Sequence, residues 1–279
     1  MFVRRLMVPL ALWIMVVLYL AFVEERQGVM IWVIPPALLL MVVYIFTPQL
    51  NYWYVQRYRP TLDDPLRKFV HRLIPWVIRL EPEVQQRLEE RLVEHMEGAD
   101  YTGMALDTIP EEAKAAVSLA AVIISWQQEK VMLSPFERVV FYKHPFPSPN
   151  YQFLHASETD FTDHVQIYSL EQLMAAWLRP DRFINVAYYE WGRVFQYLFD
   201  HKSYPASSPE LWHALTRISS QSLDQWKKFT GFEELDFWGV ATACFFCFPQ
   251  RMLETEPTLF QNIREIYGLP LSRLQNSST

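Results

Sequence analysis

The side chains best suited to chemistry in this chain of 279 residues are seven histidines, two cysteines and a few carboxylates set in apolar runs. A zinc site of the helical type needs neutral imidazoles one turn apart, at i and i+4, so that both lone pairs converge on one ion. His71, His95, His144, His155, His164, His201 and His213 form no pair at i+3 or i+4, and most of them read as surface or half-buried polar residues. Cys244 and Cys247 make a single Cys-x-x-Cys with no second pair. A redox or zinc-binding version sits at a helix start or loop, whereas these two enclose Phe245 and Phe246 on an apolar helix, where thiols serve as small apolar fillers. Trp191, Phe195, Phe237 and Trp238 recur at helical spacing and read as core rather than as a ligand cage. Glu190 and Arg193 stand at i and i+3, on one face of a helix, which is the geometry an ion pair requires. We expect the guanidinium to pair with Glu190.

The elements that must position these groups are mostly helical. Apolar residues at 84, 88, 92, 93 and 96 give an amphipathic surface helix over 83–96 ended by Gly98 and Gly103. Pro110-Glu111-Glu112 starts a helix whose continuation, 113–126, is rich in Ala, Val and Ile and should be buried on most sides. Residues 138–142, 151–154 and 164–168 read as strands of a small sheet separated by Pro, Ser and Asp turns. From 170 onward the pattern predicts helices over 170–178, 182–200, 209–229, 233–246 and 257–267. The fold class is therefore α+β, mainly helical.

Ahead of this body, residues 6–23 and 29–46 are two runs without Asp, Glu, Lys or Arg, each long enough at about 1.5 Å per residue to cross a bilayer. Only Glu24, Glu25, Arg26, Gln27 and Gly28 separate them, so they predict a transmembrane helical hairpin over 1–47. Pro35 and Pro36 should kink the second helix. Arg4 and Arg5 precede the hairpin and Arg57, Arg59, Arg67 and Lys68 follow it, which by the positive-inside rule puts both ends and the soluble domain in the cytoplasm. Tyr52, Trp53, Tyr54 and Tyr58 fit an interfacial aromatic belt. Residues 48–73 read as a juxtamembrane connector, 74–270 as the globular domain and 271–279 as a tail. A net charge of −6 offers no basic field for nucleic acid, and two cysteines allow no disulfide framework, which suits a reducing compartment.

Over residues 74–270 the chain resembles the Mlc titration factor A family, glucose-regulated zinc peptidases of the gluzincin type. The resemblance rests on a leading helix rich in Gln, Arg, Leu and Glu, an Ala-rich apolar helix, and a strand running into Pro145. The family's Asn-x-x-x-His-Glu-Phe-Ala-His helix then matches Asn185-Val186-Ala187-Tyr188-Tyr189-Glu190-Trp191-Gly192-Arg193. Its Glu-Cys-Phe-Ala-Val-x-Ser-Glu-x-Phe-Phe helix matches residues 236–246, with Pro249, Leu259 and Phe260 beyond. The resemblance implies a zinc-peptidase fold, and places Tyr189 and Arg193 at the two histidine positions and Asp236 and Ala243 at the two later glutamates. Glu190 keeps the place of the general base. A guanidinium is always protonated and has no lone pair to give, and a phenol is a poor ligand on its own. We therefore expect no zinc, a vestigial Glu190, and a former metal-site region of Tyr189, Arg193 and Asp236, in which the resemblance implies that Arg193 reaches Asp236 as well as Glu190. The function this implies is a membrane-anchored, non-catalytic module that binds a protein or peptide or acts as a regulator. The alternatives are a working hydrolase with relocated ligands, and a scaffold within a membrane complex.

Overall fold

In the computed structural model, residues 2–24, 27–58 and 61–268 are described. Glu25 and Arg26 of the expected hairpin turn, Arg59, and the tail 271–279 lie outside them. The chain divides into two compact units, residues 1–60 and 61–279.

In the first unit, α1 (Phe2–Phe22) packs against a 3₁₀ segment (Gln27–Val33), α2 (Ile34–Ile45) and α3 (Thr47–Tyr58). Among the described residues one helix, where two were expected, has the length and composition of a membrane span. Gly28–Ile45, 18 residues with a mean hydropathy of 2.3, is long and apolar enough to cross a membrane, whereas the apolar part of α1 is the shorter Leu6–Phe22. The reason is local: α1 ends at Phe22, and Val23 already lies in the turn. The two prolines stand where the 3₁₀ segment passes into α2. Pro35 and Pro36 occupy the first turn of α2, where an absent N–H removes no intrahelical bond.

The second unit begins earlier than the sequence reading places it. Residues 64–73, expected in a connector, form α4 (Asp64–Leu73), which packs on α6 (Glu111–Ile124) and contributes Val70 and Leu73 to the core. A 3₁₀ turn (Pro75–Arg79) and α5 (Pro82–Gly98) follow. Every residue of α6 from Ala115 to Ile124 is buried, because small Ala side chains let it pack against α4, α5, α7 (Leu170–Leu178) and α8 (Val186–Leu198) at once.

The sheet has four strands in the order β1-β2-β4-β3: β1 (Asp100–Met104), β2 (Arg138–Tyr142), β3 (Ser157–Asp160) and β4 (Val165–Ser169). The first three in that order are parallel and β3 closes the edge antiparallel to β4, with Ser157 opposite Tyr168 and Thr159 opposite Gln166. Two strands differ from expectation. Residues 151–154 are loop, and the strand lies just after them as the polar run Ser157-Glu158-Thr159-Asp160; β1 falls where a helix end was expected. The last helices are α9 (Pro209–Ser219), α10 (Leu223–Thr230), α11 (Phe237–Cys247), α12 (Pro249–Thr255) and α13 (Pro257–Tyr267). The single helix expected over 209–229 is broken at Ser220, whose φ of 61° is left-handed, and restarts on a capping box between Ser222 and Gln225. The mainly helical α+β class stands.

Candidate functional site

Glu190 lies in the middle of α8, the helix that carries most of the candidate residues. Asn185 starts it: its side-chain oxygen accepts from the N–H groups of Ala187 and Tyr188, both at 3.1 Å, an N-cap of the kind worth about 1 kcal/mol. From Val186 to Phe195 every residue of α8 but Arg193 is buried, so whatever stands at Glu190 must be satisfied by protein. Three donors do so. Ser157 Oγ donates to Glu190 Oε1 at 2.7 Å, Thr159 Oγ1 to Oε2 at 2.8 Å, and Arg193 Nη1 to Oε2 at 2.7 Å. Glu190 itself has no exposure, and the Arg193 side chain keeps 21%.

Arg193 is held in turn by rings. Its guanidinium carbon sits 5.3 Å from the Phe161 ring centre and 5.6 Å from that of Tyr189, within cation–π range. Burial works against its charge, but Glu190, with Tyr189 and Asp236, outweighs burial and raises its pKa above the usual value. For Tyr189 burial dominates and pushes the phenol well up, against the pull of Arg193. The hydroxyl is already occupied, accepting from the Asp236 N–H at 2.9 Å.

The expected pairing of Glu190 with Arg193 is present; the extension to Asp236 is not. Asp236 is the N-cap of α11, and its carboxylate accepts from the Gly239 N–H at 2.7 Å. It is felt by Arg193 only through space. Five of the seven histidines are exposed or half-buried, as expected of most of them, and two, His95 and His155, are fully buried. His95 bonds Ser118 Oγ through Nδ1 at 3.1 Å and meets Trp191 edge-on, and burial drives its pKa down to about 3. His155 lies between the Phe153 carbonyl, 3.0 Å from Nδ1, and Glu158 Oε2, 3.1 Å from Nε2. Burial disfavours the Glu158 charge, but hydrogen bonds from His155, Ser148 and Asn150 outweigh it and hold the carboxyl below its usual range. On α11 Cys244 is buried and Cys247 half-buried, both unbonded, and burial pushes the Cys247 thiol up to about 12, far from the thiolate a redox pair needs.

Ser157 and Thr159 are the site residues that sequence reasoning missed. The signal was available in their i, i+2 spacing, which puts both hydroxyls on one face of a strand. The other two residues of β3 face away, where Glu158 and Asp160 both accept from Asn150 Nδ2, at 2.8 and 3.2 Å.

These donor sets do not fit a zinc ion. Arg193 is cationic, Tyr189 is far from ionising and already accepts a hydrogen bond, Asp236 caps a helix, and Glu190 is bound by three donors. Among the described residues no group of three or more His, Cys, Asp or Glu side chains is arranged to hold a metal. What the arrangement can do is pin α8 to the sheet edge through a buried, charge-assisted network. Compared with family models, curated proteins and solved structures, the chain finds no match in any of the three.

Proposed function

We propose that this chain is a membrane-tethered, non-hydrolytic relative of the gluzincin zinc peptidases that holds a protein or peptide. The observation carrying this reading is Glu190: the carboxylate at the general-base position of the resemblance has no solvent exposure and is bound by Ser157, Thr159 and Arg193. A general base must reach a water and accept its proton. Here the neighbour at the next helical position is a fixed cation, which stabilises the carboxylate as a structural anion. Tethering supports a holding role, because a module confined to a surface meets its partner at a raised effective concentration.

The tether is the Gly28–Ile45 segment, with α1 as its hairpin partner, and the arginines flanking the pair favour a cytoplasmic soluble body. A reporter fused after Thr279 should read cytoplasmic; an external signal overturns the orientation and the compartment with it. For function, the full chain is purified in mild detergent. Elemental analysis should find far below one zinc per chain, with the Cys244→Ala, Cys247→Ala double variant as control for adventitious thiolate binding. A pulldown from the same detergent extract should retain a partner that survives stringent washing. Stoichiometric zinc would restore the hydrolase reading. Zinc-free protein that retains nothing would leave a purely structural role.

A further inference from the structure

We infer that the open groove between α9 and α10 is a peptide-binding site, taking an extended segment in which an apolar residue lies between one acidic and one basic residue. This deepens the holding role proposed above and rests on it. The groove offers about 590 Å³, within the few hundred to about 1,000 Å³ of small-ligand sites. Its floor is apolar, made by Trp212, Leu223 and Leu235. Trp212 is fixed in place before any ligand arrives: its indole N–H donates to Ser207 Oγ at 3.0 Å, and its ring meets Phe237 edge-on at 5.4 Å. A pre-set aromatic wall costs little further ordering when a side chain packs on it.

The rim carries the information about the occupant. Lys227, in the last turn of α10, and Glu234, in the loop leading to α11, line the same groove, are both exposed, and form no ion pair among the described residues. Lys228 and Glu233 extend each sign along the chain. A singly charged ligand would match one side and be repelled by the other, whereas a segment bearing both signs matches both. Two features favour a peptide over a free amino acid. The groove is open, so a chain can enter and leave it. The opposite charges also stand on different elements, suiting two side chains on either side of a central residue rather than one compact zwitterion.

The probes are three blocked tripeptides, acetyl-Glu-Phe-Lys-amide, acetyl-Lys-Phe-Glu-amide and acetyl-Ser-Phe-Ser-amide, with free phenylalanine as a fourth. They are titrated into the full chain in detergent micelles while the indole N–H resonance of Trp212, assigned by its loss in Trp212→Phe, is followed by NMR. One of the two charged peptides should bind roughly three- to tenfold more tightly than the other, the weight of two exposed ion pairs, with the neutral peptide weaker than the preferred one. The double variant Lys227→Glu, Glu234→Lys should invert that order while leaving the fold intact, since both side chains are exposed. An unmoved Trp212 resonance, equal affinities insensitive to the swap, or free phenylalanine binding as tightly as the best peptide each overturns the proposal. The swapped chain also separates this claim from the one it rests on. A pulldown partner kept by the double variant removes the groove but leaves the holding role, whereas a wild-type chain that retains no partner removes the role itself.

Discussion

Arg193→Ala is expected to lower the unfolding free energy of the second unit by about 3 kcal/mol, the low end of what removing one member of a buried ion pair costs. The low end applies because the Arg193 side chain keeps 21% exposure while Glu190 has none. The loss has two parts: the carboxylate is stranded in a dry site with only Ser157 and Thr159 to solvate it, and the packing of the guanidinium on Phe161 and Tyr189 goes as well. Glu190→Gln should cost less, since the amide oxygen still accepts one hydroxyl bond. Combining Glu190→Gln with Arg193→Met should then recover part of the sum, because neither an unpaired charge nor an empty space remains. Denaturant unfolding of the full chain for the four species, in a double-mutant cycle, gives the coupling. A midpoint unchanged in Arg193→Ala and in Glu190→Gln would show these residues to be ordinary surface, and the account of the site would be wrong.

Gly192→Ala should be nearly as damaging, although it adds only a methyl group next to the charged pair. A Cβ at 192 would lie 2.7 Å from Thr242 Oγ1 and 2.8 Å from Thr242 Cβ, well inside van der Waals contact. Thr242 cannot step aside: it is fully buried and its hydroxyl is bonded to Tyr267 at 2.7 Å. The facing glycine is as tight, for a Cβ at Gly239 would stand 2.7 Å from the Tyr189 ring. Helices α8 and α11 therefore touch backbone to side chain at two points, and a methyl at either must separate them. Overpacking of this kind costs about 1–3 kcal/mol, and the rigidity of both partners argues for the upper half. Thermal unfolding of Gly192→Ala, Thr242→Gly and the pair provides the check: the pair should lose less than the two singles added together. A stable Gly192→Ala would mean that the helices are further apart than described.

Much of this was legible in the sequence where periodicity and caps agree. Residues 138–142, 170–178 and 257–267 read correctly to the residue, the first from its β-branched and aromatic run and the other two from helical patterning. The pairing of Glu190 with Arg193 followed from spacing alone. The polar strand β3 did not, because strand patterns are recognised by apolar alternation, and this one is buried by hydrogen bonding instead. β1 was hidden for a related reason: it is an edge strand with Asp100 and Gly103, paired on one side only. Which two histidines are buried, His95 and His155, was not legible, because burial of an imidazole depends on partners such as Ser118 and Glu158, which local pattern does not announce. The role of Asp236 turned on a one-residue matter, namely that α11 starts at Phe237, so that the carboxylate is spent on the helix end rather than offered to the arginine.

Strand β3 has one more consequence. Sheets usually come apart at the edge, and an edge is usually held by apolar contacts that detergents and organic solvents loosen. Here the outermost strand is fastened on one face to Glu190 by two hydroxyls, and on the other Glu158 is fastened to His155 and Asn150. Peeling it away would set two carboxylates adrift at once. The margin of this sheet is held by hydrogen bonds onto two buried carboxylates rather than by oil, so media that loosen apolar packing have little hold on it, and dry carboxylates give dissolved salt little to screen.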